Sequence, residues 1–449
     1  MTPADTLIAR WWSFVRDAVA SPIALWCAFV LTHLWLGMLN LYADSHALGD
    51  VTLVYRFWAE QALTTHYWVG IDSSWVYPIV AIVPMLAAAA FGTALYASTW
   101  LSMVMLLNAV ALAAITGWGG RTRNIRVGWW WVGFLLALGP IAVGRIDSVT
   151  VAVAIVGILL IAARPRAGAI LLTVAAWIKV WPAALVGAIV IAARTRWRVL
   201  AAAIVTSVVI IAAAVALGSG TNVFSFVSQQ TNRGLQIEAP VSTVWLWQAF
   251  AGLQATYLYY DQNLLTFQVA GDGVRLVGTL MTPLLALVCL AIVLIAVLAV
   301  RRGAGAAELL PPLTLALVSA LIAFNKVGSP QFMTWLAVPV ILGLVTNATG
   351  HGRSFRTPGI LVAVLAALTQ SFYPYLYGWL LALNPITLVL LTARNALIFV
   401  LLAWAVVALW QTAGIRDHHE LPADETGCMP AVWPFRPVRD TVEETEPMN

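Results

Sequence analysis

The sequence predicts an all-α polytopic membrane protein with about 11–13 membrane segments and amphipathic helices in its outer loops. Composition is the first observation. Of 449 residues, 61% are hydrophobic and 10% charged, mean hydropathy is +0.89, and there are 22 tryptophans. Such a chain has too little polar surface to face water. The second observation is the rhythm of long apolar runs broken by arginine clusters at 121–126, 164–166, 194–198, 301–302 and 353–356. Those clusters mark cytoplasmic turns under the positive-inside rule. The same arginines account for a pI near 9.3. No basic run is interleaved with exposed aromatics, so nucleic acid is not an expected partner; the lipid bilayer is.

Taken in order, residues 1–20 read as a cytoplasmic N-terminus. The apolar run from about Ser21 to Tyr42 is longer than a signal-peptide core of about 7–15 residues, so it reads as an uncleaved first span. An outer loop follows at 43–76. Within it, Val51, Val54, Tyr55, Trp58 and Leu63 fall near one helical face, the pattern of a surface helix. Apolar segments run through 77–118, 128–144, 149–163, 167–193 and 199–217. A second outer loop covers 218–274, and further spans lie at 275–300, 309–325, 331–347, 359–383 and 386–410. Residues 21–410 thus form one transmembrane domain. Residues 411–449 carry eight of the chain's 19 acids with several prolines, which predicts a disordered acidic cytoplasmic tail.

The arginine clusters set two parity conditions. The segment 77–118 must cross an odd number of times, although its length suggests two spans. The segment 167–193 must begin and end on the cytoplasmic side, yet is too short for two full crossings. Two half-depth helices meeting near Lys179 to Pro182 satisfy the second condition, because proline lacks an N–H and broken helices are tolerated where they line a cavity. The other reading is one long span beside a misleading arginine cluster.

Only two lysines occur, Lys179 and Lys326, against 22 arginines, and both sit beside apolar runs where a charge is costly. Few acids lie on the outer side. Asp50 opens the surface helix, Asp147 stands in "GRID" at 144–147 beside Arg145, and Glu238 lies in the second loop with Arg233 and Gln236. Arg145 and Asp147 read either as an ion pair at a helix turn or as polar groups facing a phosphate or sugar. Lysine offers phosphate a compact point charge, so two cations facing outer carboxylates suit an anionic lipid headgroup presented to an acceptor. Aromatic residues such as Trp58, Tyr77 and Trp245 are candidates to stack on sugar faces, and Gln331 lies in the turn after Lys326. His46, His66, His418 and His419 have no partners at metal-ligand spacing, nor do Cys27, Cys289 and Cys428, so no metal site is expected.

Several motifs in order resemble glycosyltransferase family 87, the GT-C-type, polyprenyl-phosphate-mannose-dependent α-mannosyltransferases of actinobacteria. They are "GDVTLVY" after the first span, "YPIVAIVP" at 77–84, "IKVWP" matching a Lys-x-x-Pro pattern, "RGLQIEAP" and "NKVGSPQ". "GRID" stands where members usually show Gly-Gln-x-Asn. The resemblance implies a GT-C-like helical bundle in the plasma membrane with its active site on the extracytoplasmic face. It implies inverting transfer of mannose from polyprenyl-phosphate mannose to a glycolipid or polysaccharide acceptor. Asp50 would be the base, and Lys179, Lys326, Arg145 and Arg233 would serve the donor phosphate. Asp147, Gln236, Glu238, Tyr77 and Gln331 would contact acceptor or sugar, with no metal or other cofactor. Arabinose or glucose in place of mannose stays open. A secondary transporter is the alternative from another class, but "IKVWP" has no counterpart in the other half of the chain, as inverted repeats would require. A flippase or ligase of lipid-linked glycans would handle the same ligand.

Overall fold

The structure, a computed structural model, describes residues 20–44, 47–117, 122–231, 233–262 and 264–414. The expectations for the N-terminus before residue 20, for His46 and for the tail from 415 lie outside the described residues. Within them, eight helices are long and apolar enough to cross a membrane, and three shorter apolar helices accompany these. The protein is an all-α polytopic membrane protein.

Helix α1 (Pro22–Tyr42) starts with proline at its first position, and the Ser21 hydroxyl accepts the Ala24 N–H. Its exposed residues include Ile23, Leu31, Leu34 and Trp35, an apolar surface suited to lipid rather than water. In the first loop, a π-helical turn at Asp50–Tyr55 leads into α2 (Arg56–Thr64). This is the expected surface helix, but its buried face is Val51, Tyr55, Ala59 and Ala62, at i, i+4 and i+3 steps, and Leu63 points outward.

The first parity condition is met by one crossing. Short α3 (Ile82–Ala87) precedes long α4 (Tyr96–Thr116), and the Tyr96 hydroxyl donates to the Met85 carbonyl at 2.9 Å, tying the two together. Helix α5 (Thr122–Leu138) follows, extended by a 3-10 turn through Ala142.

The second condition is met by a broken pair. Helices α6 (Ile146–Leu160) and α7 (Pro165–Ile178) form a hairpin whose closest approach is at Gly157 and Gly168. A Cβ on Gly168 would stand 2.6 Å from the Gly157 carbonyl oxygen, so only glycine permits this spacing. At 1.5 Å per residue the two helices are each about 21–22 Å long, short of the ~30 Å hydrocarbon core. The start of α6 therefore meets the end of α7. Lys179 then adopts extended backbone (φ −151°, ψ 133°), and Pro182 caps α8 (Ala183–Ala192), which leads into α9 (Arg196–Ala216). Trp177 packs with Ile210, Ile211 and Ile79, and the Asn222 amide donates to the Ile71 carbonyl at 2.8 Å. The end of α7 and the end of α9 thus share the face that carries the first loop. Helix α8 must run back from that face, so residues 165–192 enter and leave together.

The second loop holds α10 (Ser225–Thr231), α11 (Thr243–Phe250) and an antiparallel hairpin of β1 (Tyr257–Asp261) with β2 (Thr266–Ala270), registered Tyr257↔Ala270 to Asp261↔Thr266. The hairpin adds one short strand pair to the helices of the outer loops. It arises where "YLYY" and "TFQVA" concentrate aromatic and β-branched residues. Helices α12 (Val274–Arg301), α13 (Ala306–Ala323), α14 (Ala337–Ala348, after a 3-10 run from Pro330), α15 (Arg356–Phe372), α16 (Tyr377–Leu381) and α17 (Pro385–Gly414) complete the bundle. Residues 411–414 belong to this last helix, not to the tail. Helix α13 and the 330–348 segment are each 78% buried, against 11% for α9 and 17% for α12. The first pair forms the centre and the second a rim, so the loop joining α13 to α14, with Lys326, starts from the most enclosed part of the fold.

Candidate active site

The first group of side chains gathers where the loop at 47–50 crosses the "GRID" turn. Gly144 makes this crossing possible: a Cβ there would lie 3.0 Å from the Ala47 carbonyl oxygen and 3.2 Å from the Asn40 side chain. Arg145, just before α6, turns inward. Its Nε meets Asp50 Oδ2 at 3.1 Å, Nη1 donates to the carbonyls of Ala47 and Gly144, and Nη2 donates to the Tyr373 hydroxyl at 3.2 Å. Burial opposes the Arg145 charge most strongly, but Asp50 together with Tyr373, Tyr55 and Tyr77 outweighs it and holds the guanidinium above its ordinary pKa. Asp50 itself leaves 42% of its side chain exposed.

The second group sits where the α6–α7 hairpin closes. Lys179 Nζ lies 3.0 Å from Asp147 Oδ2, and the Trp335 indole N–H donates to Oδ1 at 2.7 Å. Asp147 is 0% exposed, with both oxygens occupied. The ammonium also lies 5.4 Å from the ring centres of Tyr77 and Phe332, a cation–π position for each. Trp181 stacks on Trp335, and Trp335 on Phe332. "GRID" therefore does not pair internally. A one-turn neighbour is the easy partner in sequence, but the fold brings each member a different one.

Tyr77 joins the two groups. Its hydroxyl is 3.4 Å from that of Tyr55, its ring packs edge-on against Trp58 and Trp75, and both Arg145 and Arg233 are within its electrostatic reach. Arg233 Nε is enclosed and has no hydrogen-bond partner, and burial pulls its guanidinium below the ordinary value.

The rest of the second loop is locked against the turn at 326–329. The Gln236 N–H donates to the Lys326 carbonyl at 3.0 Å, and Ser329 donates to Gln236 Oε1 at 3.3 Å. Gly328 has no room for a Cβ, which would lie 2.1 Å from the Glu238 carbonyl. Glu238, 2% exposed, accepts the Tyr377 hydroxyl at 2.6 Å on one oxygen, while the other has no partner. Burial pushes its carboxyl up, partly offset by that hydrogen bond. Behind it lies Arg394 of α17, fully buried, donating to the Gly328 carbonyl and packed over Phe372. Lys326 is buried as well, which pulls its ammonium down.

The structure thus brings Asp50, Arg145, Asp147, Lys179, Tyr77 and Arg233 into one cluster. Several residues expected at the site have enclosed surroundings. Asp147, Gln236 and Glu238, expected to contact acceptor or sugar, are enclosed. Lys179 is matched by an internal carboxylate. Trp245 is buried with its indole N–H on the Asp272 carbonyl, so it offers no face to a sugar. Gln331 stands half-buried at the start of the 3-10 run, its carbonyl accepting the Thr334 hydroxyl.

Sequence reasoning missed Tyr373, Tyr377, Trp335 and Arg394. Arg394 was detectable as an arginine inside an apolar span; the aromatic partners carried no such signal. Among the described residues, no three His, Cys, Asp or Glu side chains come together as a metal-ligand group. A concavity between α11 and α16, lined by Phe250, Trp379 and Leu383 among others, shares none of the cluster's side chains.

No curated protein and no solved structure matches the chain. Among protein families, the match is to glycosyltransferase family 87 over residues 75–323, more than half of the chain and inclusive of Tyr77, Arg145, Asp147, Lys179, Arg233 and Glu238. With this cluster set at the loop-bearing face of an all-α membrane bundle, the chain belongs to glycosyltransferase family 87.

Proposed function

We propose that the protein is an inverting transferase that moves mannose from polyprenyl-phosphate mannose to a glycolipid or polysaccharide at the outer face of the plasma membrane. One observation carries the reading: of the three carboxylates around the cluster, Asp147 and Glu238 are enclosed, and Asp50 alone is reachable. Asp50 takes the proton of the acceptor hydroxyl as that oxygen attacks the anomeric carbon. The bond from that carbon to the phosphate oxygen breaks, and the phosphate leaves with the electron pair. Attack from the opposite face inverts the configuration. Charge growing on the leaving phosphate is met by the guanidinium of Arg233, whose Nε has no internal partner. A lipid-linked donor fits a bundle whose rim helices are apolar and little buried. The reaction uses no bound metal.

The test is direct. Purified protein in detergent receives polyprenyl-phosphate mannose labelled in the sugar, with octyl α-mannoside as acceptor and EDTA in excess. Labelled disaccharide glycolipid of inverted configuration is the expected product. Transfer that stops in EDTA and returns with a divalent ion would sink the metal-free account. Transfer only from arabinosyl or glucosyl polyprenyl phosphate would sink the mannose assignment.

A further inference from the structure

Arg145 was expected to serve the donor phosphate, and its geometry argues for another task. A guanidinium that binds phosphate needs an open, two-pronged face. Here that face is spent. Nη1 is held by the Ala47 and Gly144 carbonyls and Nη2 by the Tyr373 hydroxyl, while Nε lies 3.1 Å from Asp50 Oδ2 in an ion pair. These four partners come from three parts of the chain: the first loop, the "GRID" turn and the segment after α15. Gly144 fits the crossing with no room to spare, so the fork cannot slide toward a ligand without opening that contact. The side chain is only 10% exposed, while its partner Asp50 is 42% exposed.

The arrangement also has a direction. Nε lies 3.1 Å from Oδ2 of Asp50 as an ion pair, which leaves Oδ1 for an incoming hydroxyl. Tyr373 accepts from Nη2, and it lies beyond the end of the family match at residue 323. We propose that Arg145 is a positioning residue that fixes the Asp50 carboxylate for proton abstraction, and that Tyr373 in turn fixes Arg145. Neither is a ligand of the donor phosphate. The inference rests on Asp50 being the base.

A double-mutant cycle separates the possibilities, again with polyprenyl-phosphate mannose and octyl α-mannoside. Arg145→Gln should lower kcat by about 10²-fold, the scale of a base displaced by about 1 Å, while donor KM stays within about twofold. Thermal stabilisation by polyprenyl phosphate alone should also be unchanged. In an Asp50→Asn background the same substitution should have no further effect on the residual rate, because the two act as one unit. Arg145→Lys should stay low, since lysine keeps the charge but not the planar fork. If Arg145→Gln does not fold, Tyr373→Phe removes one oxygen and should lower kcat in the wild-type background but not in Asp50→Asn. A raised donor KM with kcat preserved would make Arg145 a phosphate ligand and overturn the proposal. So would multiplicative losses in the cycle, or full recovery by lysine. An active Asp50→Asn would instead remove the base on which the proposal depends.

Discussion

Two carboxylate–cation pairs stand a few residues apart in this fold, nearly alike in length and opposite in setting. Asp50 meets Arg145 at 3.1 Å and Asp147 meets Lys179 at 3.0 Å. In the first pair the acid is the open member and the cation is enclosed. In the second the acid is sealed, with Trp335 on its other oxygen, and the cation keeps 18% of its side chain exposed. A carboxylate that must accept a proton from a substrate needs a free oxygen and a path to it; a sealed one with both oxygens bonded can only hold structure. The comparison therefore divides similar chemistry into a reactive pair and a scaffold pair.

The division breaks first at its acids. Asp50→Asn should cut transfer by about 10²–10⁴-fold, the usual cost of removing a general base. Arg145 keeps its bonds to the Ala47 and Gly144 carbonyls and to Tyr373, so the protein should stay folded. Its thermal midpoint should be lower, because the enclosed guanidinium loses its counter-charge. Activity within threefold of wild type would make the open pair structural too.

Lys179→Met should do the reverse. Removing the ammonium strands the Asp147 carboxylate in an enclosed site, at a cost of about 3–5 kcal/mol. Thermal unfolding of the empty protein in detergent should show a sharp drop, and Asp147→Asn combined with Lys179→Met should recover much of it. If the single variant unfolds like wild type but loses its stabilisation by polyprenyl phosphate, Lys179 is a phosphate ligand rather than a strut.

Some of this was legible in the sequence. Spans follow from apolar length, and the reversal at Lys179–Pro182 follows from arginine parity and one proline. Asp50 was visible as an acid at the head of an amphipathic stretch. The partners were not visible. Arg145 and Asp147 are two residues apart, and the sequence offers each to the other. Only the crossing at Gly144 and the short hairpin of α6 with α7 send one to Asp50 and the other to Lys179. The β1–β2 hairpin was hidden for a similar reason, because a short strand pair inside a polar loop has no period long enough to separate it from surface helix.

A smaller effect sharpens the comparison from the cation side. Arg233 Nε has no internal partner, unlike Arg145 and Lys179. If it serves the donor phosphate, Arg233→Gln removes a charge-assisted hydrogen bond worth about 1.5–3 kcal/mol, or about 10- to 150-fold in donor KM. The value of kcat at saturating donor should fall less. A change in kcat alone, with donor KM intact, would place Arg233 with Arg145 among the positioning residues.

The smallest effect concerns Glu238, the third carboxylate, which resembles Asp147 in burial but has no cation at bonding distance. Arg394 is near enough to stabilise its charge without forming an ion pair. Burial dominates and raises its pKa, so the folded protein binds this proton more tightly than the unfolded chain does. The sign follows from linkage: stability from this group is fully present below the ordinary glutamate value and is lost as pH rises through the raised one. Glu238→Gln mimics the protonated form, and its amide oxygen still accepts the Tyr377 hydroxyl. The variant should therefore unfold at a higher temperature than wild type at neutral pH and match it in mild acid, with the gap opening as pH climbs. Thermal melts in detergent from pH 4.5 to 8 would read this. A gap that widens toward acid instead would mean that Arg394 holds Glu238 ionised. The enclosed carboxylates would then both be charged struts, leaving Asp50 set apart by exposure alone.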